Sequence, residues 1–222
     1  MCGRHLLHIV TRKLKRMDWQ LDATETRVLG ALLEKEITTP DYYPLSANAL
    51  VNACNQKSNR EPVVSYDDDT VEEALQNLRV KGLAMRVTGD GRVAKHEQRF
   101  TEKYNLGRRE AALLCVLMLR GPQTVGELRG RSERLYTFDD LEGVETTLAR
   151  LAEMGYTKKL PKRAGFKEQR WAHLLAGDVE ESGEEAAAPA DRGPSERDRI
   201  AKLEADFAAL RQEFEEFRRK FE

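Results

Sequence analysis

Apolar residues between Asp22 and Glu36 recur at intervals of three and four, the period of a helix with one buried stripe. Asp22 stands three residues before Glu25, which predicts a capping box at the helix start. Pro40 and Pro44 break the pattern, and a short second helix then runs from Ser46, its cap, to Asn55. A third helix spans about Asp68 to Lys81 and stops at Gly82. Beyond it Leu83, Met85 and Val87 alternate with small or polar residues. Gly89-Asp90-Gly91 supplies a turn, and Val93 to Phe100 returns as the partner strand. Three helices followed by a hairpin is the order of a winged helix.

The pattern then repeats. Val71-Glu72-x-x-Leu75-x-x-Leu78-x-x-x-Gly82 returns as Val144-Glu145-x-x-Leu148-x-x-Leu151-x-x-x-Gly155, and Glu97-Gln98-Arg99-Phe100 as Glu168-Gln169-Arg170-Trp171. Val28, Leu29, Leu32 and Leu33 reappear as Leu113, Leu114, Leu117 and Met118. Helices are expected near 107–120, 124–132 and 139–154, with strands near 156–160 and 167–174. The offset between copies falls from 85 (28 to 113) to 73 (71 to 144) to 71 (97 to 168). The first copy therefore holds extra residues, most of them before residue 71, and added loop length is where a duplicated scaffold acquires a task.

The expected fold is mainly α with small β-hairpins. Two tandem winged-helix (helix-turn-helix) domains, 19–104 and 105–176, each long enough to bury a modest core of its own, follow a basic N-terminal extension, 1–18. An acidic linker, 177–195, leads to a coiled-coil helix, 196–222. In that helix Ile200, Leu203, Phe207, Leu210, Phe214, Phe217 and Phe221 fall on one seam. With Ile200 at position a, the g-to-e′ pairs of a parallel dimer are Arg199 with Glu204, Asp206 with Arg211 and Glu213 with Arg218, each of opposite sign. An antiparallel pairing would instead set Asp206 against Glu213, so a parallel self-associated dimer is favoured. The competing reading is a lone amphipathic helix folded back on the modules, because three heptads are marginal on their own.

Net charge is −1 over 222 residues, but it is unevenly spread. Arg4, Arg12, Lys13, Lys15 and Arg16 meet no acid before Asp18, whereas residues 177–198 carry eight acids against Arg192 and Arg197. Only local patches can therefore speak about nucleic acid. Cys2, Cys54 and Cys115 form no C-x-x-C pair, which suits a reduced, cytoplasmic setting. No run of apolar residues reaches the length of a membrane span. The first seventeen residues read either as a mis-assigned start ahead of Met17 or, less well, as a presequence. Cys2, His5 and His8 have a metal-like spacing, yet accidental spacing explains it and no metal or cofactor is expected.

No catalytic motif emerges, and the chain reads as a non-enzyme: it has no P-loop, no G-x-G-x-x-G after a strand, no H-E-x-x-H and no G-x-S-x-G. The acids at Asp67-Asp68-Asp69 and Asp139-Asp140 open helices, where capping and the dipole account for them. His96 and His173 lie in the last strand of each copy, where packing explains them. In the repeated Glu-Gln-Arg-aromatic, Phe100 and Trp171 are expected to plug the space beneath each hairpin, and Glu97 with Arg99 to form an ion pair along a strand. The most suggestive loop is 55–62, without one aliphatic side chain. Asn55, Gln56, Lys57, Asn59 and Arg60 suit contacts to bases and phosphates, and they equally suit bracing of the adjoining proline-rich connection.

Several segments together carry a resemblance. Thr38-Thr39-Pro40, Tyr43-Pro44-Leu45-Ser46, the stretch Ala53 to Val63 and Glu97-Gln98-Arg99-Phe100 resemble the YceH-like bacterial proteins, a family without assigned function. The resemblance extends over residues 19–222 and implies tandem winged-helix domains and a C-terminal coiled-coil segment. It brings no catalytic or ligand residues. The basic extension before Met17 and the phenylalanine-rich final seam depart from the family pattern.

Two functions follow as expectations. One is a DNA-binding or transcription-regulatory dimer. Both third helices open with acids that phosphates would repel, so contact is expected from the loop and from Lys158, Lys159, Lys162, Arg163 and Lys167 of the second hairpin, with Arg129, Arg131 and Arg134 after the second helix of that copy as further basic support. The other is an adaptor that binds a partner protein through the winged-helix surfaces and does not bind DNA.

Overall fold

A computed structural model describes residues 19–87, 93–162 and 168–178, together with Arg211. The chain divides into two units, Met1–Val179 and Glu180–Glu222, and apart from Arg211 the described residues all belong to the first. The basic extension, the turn at 89–91, Arg163, Lys167 and the seam from Ile200 to Phe221 lie outside the described residues.

Among the described residues the structure is mainly helical with two small antiparallel sheets. Helix α1 (Ala23–Thr38) begins in the anticipated capping box, with the Glu25 N–H donating to Asp22 Oδ1 at 2.7 Å and the Asp22 N–H to Glu25 Oε2 at 2.9 Å. After a short 3-10 turn come β1 (Leu45–Ser46) and α2 (Ala47–Cys54), which Ser46 caps. Helix α3 (Asp68–Val80) starts on the Asp67 carboxylate and ends at Gly82, whose φ of 66° lies in the region that favours glycine. Strands β2 (Ala84–Val87) and β3 (Lys95–Gln98) form the hairpin. The second copy supplies α5 (Arg108–Arg120), α6 (Val125–Ser132), α7 (Leu141–Glu153), β4 (Thr157–Lys159) and β5 (Trp171–His173).

Two elements depart from the sequence expectation. The strand β1 makes the first sheet three-stranded, in the order β1-β3-β2, with Leu45 opposite His96 and Ser46 opposite Lys95. The second copy has the same contact in reduced form: Gln123, just before α6, bridges to Trp171. The last strand of the first copy also stops at Gln98, and Phe100 opens a further helix, α4 (Phe100–Tyr104). Trp171, its counterpart in the sequence repeat, remains in β5, at the register position that His96 holds in β3. Phe100 therefore does not mirror Trp171. It is fully buried among aromatic rings, with Tyr104 at 5.5 Å and Tyr156 of the second copy at 6.1 Å.

The copies do not keep separate cores. Buried side chains from Leu21 to Leu175 form one continuous cluster, and α1 packs on α5 as well as on α2 and α3. Both first helices are buried on every side over a continuous stretch, from Glu25 to Glu34 and from Glu110 to Leu119. A helix hidden on every side must be covered by more than one neighbour. At the crossing, Cys115 Sγ lies 3.5 Å from the Gly30 carbonyl oxygen. Residues 30 and 115 are equivalent under the offset of 85 that relates the first helices. Matching positions thus face each other, as in an isologous contact between identical subunits. A Cβ at position 30 would lie 2.9 Å from Leu119 Cδ2 and 3.2 Å from Met118 Cβ, so glycine permits the close approach.

Candidate functional site

The loop between α2 and α3 is built on two buried guanidinium groups. Arg60, 6% exposed, forms a two-pronged ion pair with Glu34 of α1, Nη2 to Oε2 at 2.6 Å and Nη1 to Oε1 at 3.2 Å. It also donates to the Ala53 carbonyl through Nε (3.2 Å) and Nη2 (2.9 Å), and to the Asn59 carbonyl through Nη1 (3.0 Å). Those contacts use the full donor set of an arginine. Arg27 reaches from α1 to both ends of the loop, donating to the Cys54 carbonyl at 3.1 Å and the Pro62 carbonyl at 2.6 Å. Burial, and then the neighbouring Arg60, hold Arg27 below the usual arginine range.

Asn55 closes the base of the loop. Its amide donates to the Tyr66 carbonyl at 2.7 Å, and its Oδ1 accepts from the Tyr66 N–H at 2.8 Å. Asn55 and Arg60 therefore act as braces. The rest of the predicted loop forms an outer tip, with Gln56 half-buried and Lys57, Ser58 and Asn59 exposed. Asn59 has a φ of 59°, a conformation asparagine tolerates better than most residues.

The tip touches the second repeat. The Glu61 N–H donates to the Leu119 carbonyl at 2.9 Å, and the Arg120 guanidinium donates to Asn59 Oδ1. Beside this contact lies a cleft of about 40 Å³ whose polar wall is Glu34, Thr38, Asn59, Arg120, Arg131 and Arg134. Its apolar floor comprises Cys115, Val116, Leu119 and Leu135. Arg131 pairs loosely with Glu127, at 3.6 Å. Burial and then the nearby Arg131 lower the Arg120 pKa, although Glu61 and Glu127 oppose the shift. Arg131 and Arg134 stand out together in the sequence, but Arg120 and the cleft do not, because Arg120 lies at the end of another helix and meets them only through the packing of α5, α6 and the loop.

The second hairpin gathers the other predicted residues. Lys158 and Lys159 lie on β4, and Lys162 is exposed just beyond it. Lys158 Nζ is 2.9 Å from Asp178 Oδ1, and Lys159 Nζ lies 5.9 Å from the centroid of the Trp171 ring. The outward face of α3 carries Asp68, Asp69, Glu72 and Glu73, and that of α7 carries Glu142, Glu145 and Glu153. Among the described residues no group of three His, Cys, Asp or Glu could hold a metal ion, and no helix is long and apolar enough to cross a membrane.

Comparison with known proteins shows the family of this chain. The family described as "Protein of unknown function, DUF480" matches residues 21–166, which takes in α1 through β4 and stops short of β5. The chain belongs to this family. DUF480 relatives occur in bacteria: a UPF0502 protein of Solibacter usitatus is 71% identical over 206 residues, covering 93% of this chain and 100% of that protein. A UPF0502 protein of Pelobacter propionicus is 50% identical, covering 91% of this chain and 95% of the relative. One from Geobacter sulfurreducens is 45% identical, covering 93% and 100%.

Proposed function

We propose that this DUF480 protein is a DNA-binding regulator built from two winged-helix modules and held as a parallel dimer by the helix at 196–222. The order α1-β1-α2-α3-β2-β3, with the first strand pairing the last, supports the module assignment. The observation that carries the mode of binding is the contrast between the acidic outer faces of α3 and α7 and the lysines of the second hairpin. An acidic helix would meet phosphates unfavourably in the major groove, whereas Lys158, Lys159 and Lys162 can follow a backbone. The contacts are then largely sequence-tolerant.

If these three lysines each neutralise one phosphate, the log-log salt slope contributed by them is about −2.7, and affinity falls roughly fortyfold between 50 and 200 mM salt. Fluorescence anisotropy on a labelled duplex measures the slope. Conversion of Lys158, Lys159 and Lys162 to alanine should flatten it. A wild-type slope near zero, or an unchanged slope in the variant, overturns the reading.

A second reading is favoured by one observation. On α3, Val80 is 84% exposed in line with the acids of the same face, a mixed apolar and acidic surface of the sort a basic partner protein could cover. In that adaptor reading DNA affinity is absent and substitution of Val80 abolishes the partner interaction.

A further inference from the structure

We infer that the cleft between the repeats is a binding site for the phosphate group of a small ligand, gripped by Arg120, Arg131 and Arg134. The inference is independent of the DNA reading, which concerns the second hairpin. Three features support it.

The first is crowding of like charge. Arg120, Arg131 and Arg134 line one small cleft, with Arg60 close behind. Of the acids nearby, Glu34 is committed to the buried Arg60 in a two-pronged pair, Glu127 meets Arg131 only at 3.6 Å, and Glu61, near Arg120, is exposed and forms no ion pair among the described residues. Arg134 makes no hydrogen bond or ion pair among the described residues. The site therefore has more guanidinium than carboxylate, and an anion would relieve the imbalance. Planar guanidinium forks are the groups that hold phosphate oxygens two at a time.

The second is preorganisation. The Asn59 side of the cleft is fixed from beneath by Arg27 and Arg60 and from the side by the Glu61–Leu119 backbone hydrogen bond. An exposed polar loop would ordinarily lose entropy on ordering around a ligand. Here buried arginines have already ordered it, so less binding free energy is spent.

The third is size. About 40 Å³ holds roughly three waters at one probe sphere each, a scale that suits a single tetrahedral oxyanion and excludes a base or a duplex groove. The bulk of a larger ligand would extend outward past Arg131 and Arg134, both exposed. The ligand class is thus a phosphomonoester or inorganic phosphate. The extra length of the first repeat, which creates the 55–62 loop, is what gives the cleft its second wall.

Isothermal titration of the full-length protein with inorganic phosphate, with AMP and with a short DNA duplex tests this. Saturable binding of phosphate or AMP is expected, with Kd at or below roughly 1 mM. Arg131→Ala and Arg134→Ala should each weaken it about tenfold, the loss expected for one charge-assisted hydrogen-bonded contact. Both side chains are exposed, and melting without ligand verifies that the variants fold. Arg134→Lys, which keeps the charge but loses the fork, should fall between wild type and alanine. The hairpin variant Lys158, Lys159 and Lys162→Ala should leave phosphate binding unchanged, so failure of one reading is separable from failure of the other. Absence of phosphate and AMP binding, binding by the duplex alone, or equal affinity in the arginine variants overturns the inference.

Discussion

Replacement of Arg60 by methionine tests whether the loop is held by its buried ion pair. The Arg60 side chain is fully enclosed and that of Glu34 only 10% exposed, so the substitution leaves a largely buried carboxylate with no partner nearer than Lys35, at 3.9 Å. It also strips two backbone carbonyls, those of Ala53 and Asn59, of their donors. Removing one member of such a pair costs about 3–5 kcal/mol, which is large against the total stability of an ordinary domain. For a protein of this size the melting temperature should drop by roughly 10 °C. Urea denaturation followed by circular dichroism gives the free energy directly. The double variant Glu34→Met with Arg60→Met isolates the cause, because it removes the stranded charge and leaves only the unpaired carbonyls. Its cost should shrink to about 1–3 kcal/mol, smaller than that of the single substitution although more of the native contact is gone. If Arg60→Met melts within about 1 kcal/mol of the parent, or the double variant is the weaker of the two, the buried pair does not organise the loop as argued.

Two other substitutions probe the packing. Gly30→Ala places a methyl against Leu119 and Met118; crowding of about 1–3 kcal/mol outweighs the helix-propensity gain of up to about 1, so a net loss near 1 kcal/mol is expected in urea melts, and that increment should shrink when Gly30→Ala is introduced into a Leu119→Ala background, itself less stable than the parent. His173 is half-buried with its Nδ1 hidden from solvent and unpartnered, and burial lowers its pKa from 6.5 to about 4. The unfolded chain therefore binds the proton more readily than the folded one, so this contribution to stability is complete above the unfolded pKa and is lost as pH falls towards 4. Between pH 7 and pH 5 the loss is about 2 kcal/mol, and a His173→Phe variant should show a flatter pH profile by that amount.

The helices were legible in the sequence because their start signals are side-chain chemistry: Asp22 with Glu25, Ser46, Asp67 and Asp140 all cap as their positions suggest. The two-residue strand β1 was not, since its partners, Lys95 and His96, lie some fifty positions away and two residues carry no periodicity. The α4 helix hid behind the strand-like repeat of Glu-Gln-Arg-aromatic, where the same four residue types take different conformations in the two copies. The shared core did leave a trace, in the unbroken apolar run from Ala111 to Leu119, which is too wide for one buried stripe. At the site, residue type alone could not separate Arg60, turned inward to Glu34, from the exposed Lys57 three positions before it. That distinction depends on where α1 runs. Arg120 escaped for the same reason, because its significance comes from a loop sixty residues earlier.

The facing of positions 30 and 115 across the α1–α5 crossing has an evolutionary reach. Two identical subunits joined in this manner are bound to present the same side chain on either side of their axis, so any asymmetric contact between them would have to be made twice. Covalent linkage lifts that constraint. One half is free to lengthen a loop, the other to place arginines opposite it, and each innovation needs to be accommodated only once.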